Sequence, residues 1–211
     1  MPLFVYVVLA SAFVPVIVGL IRFNKHDTGG RILLMLVSAN AIQMSAAYTL
    51  AMMKIPNLWF VNLYRPIELV LIALAFVAML EGRLARRVIL LCAVLYVLIW
   101  IADKFTLDVS GELNTRMAML SRIIAIIMSI VALYAGSGAL DTRFAERTLT
   151  WVGAAVLLYS SGTLLVLGFG NQLIASGREA FVQAWHINWT LLLVANIFYT
   201  KGLLCRSHRQ I

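Results

Sequence analysis

LWFVNLYRPIELVLIALAFVAML, residues 58–80, is an apolar run interrupted only by Asn62, Tyr64, Arg65, Pro66 and Glu68 in its first half. Its length suits one bilayer crossing, since roughly 20 residues rising about 1.5 Å each span a hydrocarbon core of about 30 Å. Lys54 precedes it and Glu81 and Arg83 follow it. Working outward, charged or polar flanks cut out six more such runs, at about 3–21, 32–53, 86–102, 117–136, 150–170 and 181–203. The expected fold is all-α: a polytopic membrane protein forming a seven-transmembrane-helix bundle. Composition agrees. The chain is 63% hydrophobic and 12% charged, against roughly 25% charged residues in a soluble domain, and its mean hydropathy is +0.95. At about 20 residues per span, little of the 211-residue chain is left over. One transmembrane domain, 1–211, is therefore expected.

The loops give the bundle a direction. The connections after the first, third and fifth runs and the C-terminal tail hold eleven cations: Arg22, Lys25, Arg31, Arg83, Arg86, Arg87, Arg143, Arg147, Lys201, Arg206 and Arg209. The opposite side holds four: Lys54, Lys104, Arg116 and Arg178. Lys and Arg concentrate on the cytoplasmic side, so the N-terminus is expected outside and the C-terminus inside. That alternation requires an odd number of crossings. The N-terminus lacks the basic stretch of a signal peptide and reads as a retained first span. The net charge of +8 then reflects orientation rather than a nucleic-acid partner. The expected location is a cell (inner) membrane, multi-pass. Cys92 and Cys205 fall at different depths and should not pair.

Ionisable residues inside spans are costly, at about 2.5–3.5 kcal/mol for an arginine at a helix centre, and mark functional sites by default. Glu68 lies ten residues into its helix, about 15 Å deep. Arg65 and Glu68 are spaced i,i+3 and Tyr64 and Glu68 i,i+4, so all three can share a face. A self-contained Arg65–Glu68 ion pair is the bland alternative. Pro66 cannot donate to the Asn62 carbonyl and tends to kink the helix. Arg122 in the fifth span either snorkels to the outer interface or faces inward with Ser129. In the seventh span, Trp185, Asn188, Trp189, Leu192, Asn196 and Tyr199 form a bundle-facing stripe, with His186 about 100° away. The expected ligand-binding set is Asn62, Tyr64, Arg65, Glu68, Arg122, His186, Asn188 and Asn196. With Gln43 and Tyr48 it makes an outward-facing polar pocket floored by Glu68, and two arginines suit an anionic group.

Several chemistries are disfavoured. His26 and His208 lie in loops, which removes a bis-histidine haem, and no Cys/His/carboxylate set has metal spacing. No cofactor and no metal are expected. Lys201 sits at the end of the last span, which disfavours a retinal Schiff base.

Residues 57–64, NLWFVNLY, followed by Ile67-Glu68, then Tyr159-Ser160-Ser161-Gly162, and Trp185-His186 with Asn196, resemble a group of small bacterial seven-helix proteins of uncharacterised activity. The resemblance runs over nearly the whole chain on short motifs. It implies a role for Tyr64 and Glu68 and a sensory setting beside cytoplasmic signalling proteins.

The expected function is a membrane sensor or receptor that binds a small or lipid-like ligand and signals to a cytoplasmic partner. The basic face at Arg83, Arg86, Arg87 and Arg143 would meet that partner or anionic lipid. The alternatives are an enzyme acting on a lipid or isoprenoid with Glu68 as acid/base, and a small transporter with Glu68 and His186 as proton relay. A scaffold subunit, in which the polar cluster is structural, and a homo-oligomer are also compatible with the sequence.

Overall fold

A computed structural model describes residues 2–106, 115–137, 147–169 and 178–205. Seven helices in it are long and apolar enough to cross a membrane, and the chain is a multi-pass membrane helical bundle. They are α1 (Pro2–Ile21), α2 (Thr28–Met52), α3 (Leu58–Met79), α4 (Arg83–Thr106), α5 (Thr115–Ser137), α6 (Thr148–Gly168) and α7 (Arg178–Leu204). A short 3-10 turn, Phe23–Lys25, joins α1 to α2.

Most helix starts run beyond the apolar stretches, because polar residues build the first turns. In α2 the start moves from 32 back to Thr28. Asp27 is its N-cap, and its carboxylate accepts from the Gly30 amide at 2.8 Å. That bond satisfies one of the free amides every helix start exposes. In α4 the start moves from 86 to Arg83, so three arginines occupy the opening turns.

Neighbours in sequence pack side by side, and α7 closes the ring against α1. α3 also reaches α5 and α6 across the bundle. This central position explains why its polar face is buried. The apolar core is built from Leu33 and Leu36 of α2, Phe76 of α3, Ile89 and Tyr96 of α4, Met128 of α5, Val152 of α6 and Leu203 of α7. Cys92 and Cys205 are both free thiols.

One end of the bundle gathers the arginines. The end of α1 meets the end of α7 there: Arg22 donates from Nη1 to the Leu204 carbonyl, and to that of Leu203 at 3.4 Å. Arg147 donates to the Gly136 carbonyl near the end of α5 at 3.1 Å. The last carbonyls of a helix have no partner within it and carry partial negative charge. These arginines therefore cap helix ends. Arg143, Arg206, Arg209 and His208 lie outside the described residues.

His26 sits at the same end. Burial and the nearby Arg22 push its imidazole below the usual 6.5, and Arg31 adds to this, while Asp27 and a backbone bond at Gly19 oppose it. The folded state thus favours the neutral ring more than the unfolded chain does. Its stabilising contribution is present above about pH 6.5 and is lost as pH falls through the lowered folded value. The thermal midpoint is expected to fall below pH 6.5. His26→Gln should flatten that limb, and an unchanged limb would remove His26 as its source.

Candidate functional site: a buried ionic cluster inside the bundle

The buried stripe of α3 is Asn62, Arg65, Leu69, Ile72, Ala73 and Phe76, at helical spacing. Two polar residues thus occupy what is otherwise a core face. Arg65 is 8% exposed and Asn62 5%. Facing them, the buried stripe of α5 is Ala118, Ser121, Arg122, Ala125, Met128 and Ser129. Its alanines let the two helices approach, and Arg122 projects inward rather than snorkelling.

Arg122 and Glu68 form a two-pronged ion pair. Nη1 donates to Oε1 at 3.1 Å and Nη2 to Oε2 at 2.8 Å. Both side chains are largely shielded, at 10% and 13% exposure. The Arg122 guanidinium lies 5.0 Å from the centre of the Tyr159 ring. Its charge is therefore shared between a carboxylate on α3 and an aromatic face on α6.

This corrects the Arg65–Glu68 alternative: among the described residues, the ion pair of Glu68 is with Arg122. Three helical residues turn Arg65 about 60° from Glu68, whereas a guanidinium on a facing helix can meet both carboxylate oxygens in one plane. Arg65 is instead in electrostatic contact with Arg122, Tyr96, Glu68 and Tyr159, and its buried Nε has no hydrogen-bond partner. Two guanidiniums thus share one carboxylate, and the cluster carries an excess positive charge. Four tyrosines lie within electrostatic range of it, one each from α3, α4, α6 and α7. Tyr64 donates to the Asn40 side chain on α2. Tyr96 is fully buried with its hydroxyl 3.5 Å from the Met117 carbonyl. Tyr159 and Tyr199 complete the set.

The other sequence candidates on α7 have partners of their own. Thr163 of α6 donates to Asn188 of α7 at 2.7 Å. Asn196 donates to Ser11 of α1 at 2.9 Å, and Ser11 donates in turn to Val8 at 2.6 Å. Both asparagines thus fasten α7 to neighbouring helices. His186 packs edgewise on Phe4 and Trp189, with ring centres 5.7 and 5.5 Å apart. No protein-family model, curated protein or solved structure matches the chain. The site must therefore be read from its own chemistry.

Two residues escaped the sequence reading. Tyr96 is a lone phenol in an apolar run, and that isolation was its only signal. Asp103 is 7% exposed, two turns beyond Tyr96 on the same face of α4. It lies past the apolar stretch that ended at 102, so it passed for a loop residue.

The arrangement suits electrostatic binding better than proton transfer. Both oxygens of the Glu68 carboxylate are already taken up by the Arg122 guanidinium. Two arginines in a low-dielectric setting attract an anion far more strongly than they would in water.

Proposed function

We propose that the protein is a receptor- or sensor-type membrane protein that binds the anionic group of a small or lipid-like ligand at Arg65. The observation that carries this reading is the charge count of the cluster: Arg65 and Arg122 against Glu68, with Glu68 already engaged by Arg122. A buried guanidinium with an orphaned Nε costs stability unless something else compensates it. A carboxylate or phosphate would do so, and the surrounding tyrosines supply hydroxyls and ring faces for the rest of the ligand. The loop charges support placing the N-terminus outside and the arginine end in the cytoplasm of an inner membrane. The exposed arginines at the start of α4 support a cytoplasmic partner as the recipient of the signal. The engaged state of Glu68 weighs against the acid/base enzyme, and the separate aromatic packing of His186 against the proton relay.

The test is a thermal-shift series on the purified full chain with decanoate and farnesyl phosphate, against decanol and farnesol. The anionic members should raise the midpoint and the alcohols should not. Arg65→Met should abolish that shift while making the ligand-free protein more stable by about 1 kcal/mol or more, because a buried charge has been removed. A ligand-free variant less stable than the parent would sink the excess-charge argument. Equal shifts with acids and alcohols would sink the anion preference.

A further inference from the structure

We propose that the α3–α4 hairpin carries a separate binding site for the phosphodiester headgroup of an anionic phospholipid. A cleft of about 350 Å³ opens there, lined by Val77 of α3 and by Arg83, Arg86, Arg87 and Leu90 of α4. It lies at the arginine end, where helices leave the apolar layer, and is remote in sequence and depth from the Glu68 cluster.

Three observations point to this ligand. The first is chemical duality. Three exposed arginines border a shallow, open and mainly apolar cleft with Val77 and Leu90, their carbon stems lining it, and a lipid presents an acyl chain beside a phosphate. The second is the local repulsion. Arg83 stands i,i+3 and i,i+4 to Arg86 and Arg87 on one helix, a spacing at which like charges destabilise each other. The opening turn of α4 also has no acidic residue. Glu81, the nearest carboxylate in sequence, is exposed and is not part of the cleft lining. The third is position. The cleft belongs to the start of a helix long and apolar enough to cross a membrane, and Leu84, 78% exposed, extends the apolar surface beside it. Arginine pairs with phosphate oxygens through two parallel bonds, so three of them can hold one phosphodiester from several sides.

The experiment measures binding of dihexanoyl phosphatidylglycerol to the purified full chain in neutral detergent. Dihexanoyl phosphatidylcholine and inorganic phosphate are the comparison probes. Phosphatidylglycerol is expected to bind and phosphatidylcholine to bind much more weakly. The double variant R86Q/R87Q should weaken the phosphatidylglycerol affinity by about 25-fold, taking about fivefold per arginine near an anionic surface. K25Q/K201Q removes the same charge from the same end outside the cleft, and should change affinity less than about twofold. Equal losses in the two double variants would show a diffuse surface potential and overturn the site. Inorganic phosphate competing as well as the lipid would overturn the lipid assignment. Both double variants keep the helix core intact, because all four side chains are exposed.

Discussion

Replacing Glu68 with leucine is expected to destabilise the bundle by about 3–5 kcal/mol, because it strands Arg122 without its ion-pair partner in a buried setting. Arg122→Leu should cost less. It leaves Glu68 within electrostatic reach of Arg65, which then becomes the sole cation beside it. The asymmetry between the two single variants is the signature of two guanidiniums sharing one carboxylate. The double variant Glu68→Leu/Arg122→Leu should recover much of the loss, because paired removal avoids an isolated charge. Reversible unfolding in mixed micelles, followed by circular dichroism, gives the four corners of the cycle. Equal single losses that simply add in the double would contradict a coupled cluster.

Gly162→Val is expected to cost within about 1–3 kcal/mol, the range for overpacking, at a half-buried position facing a half-buried leucine. A Cβ at Gly162 of α6 would stand 1.9 Å from Cδ1 of Leu191 and 3.3 Å from its Cγ. Small residues at such crossings let membrane helices pack backbone to backbone. Leu191 must change rotamer or α6 and α7 must part. Parting would strain the bond between Thr163 and Asn188, one residue along from Gly162 on α6. Gly162→Val/Leu191→Ala should recover part of the loss by removing the obstructing isopropyl group. Gly82→Ala is the contrast, with nothing within 4 Å of the added carbon, and should leave the midpoint nearly unchanged. The melting temperatures of the purified variants decide it, and a harmless Gly162→Val would mean that α6 and α7 are not locked at that level.

Much of the fold was legible, because a bilayer imposes one requirement that hydropathy reports directly. Each span must be long and apolar, and all seven runs became helices. Their ends were less legible. Asp27 caps α2, Arg83 opens α4 and Asp103 is buried, and an apolar window cannot include any of them. The site was legible as an inventory and not as a set of pairings. Glu68, Arg65 and Arg122 stood out as ionisable residues within spans. Which arginine engages Glu68 depends on how close α5 comes to α3, and local spacing along α3 says nothing about that. The α7 stripe was sound as a face, since Asn188, Asn196 and Tyr199 are all buried. Its asparagines nonetheless found partners on α6 and α1 rather than on the ionic centre. No periodicity argument separates those outcomes, since both place the residue toward the bundle.

The capping arginines have a consequence for engineering the protein's topology. The usual way to invert a membrane protein is to move basic residues from one side's loops to the other. Here Arg22 holds the final carbonyls of α7 and Arg147 a late carbonyl of α5, so relocating them would also unfasten two helix ends. The side chains that such a transfer would move are also ones that hold helix ends in the finished fold. An inverted variant made by charge transfer should consequently insert and yet come apart more easily.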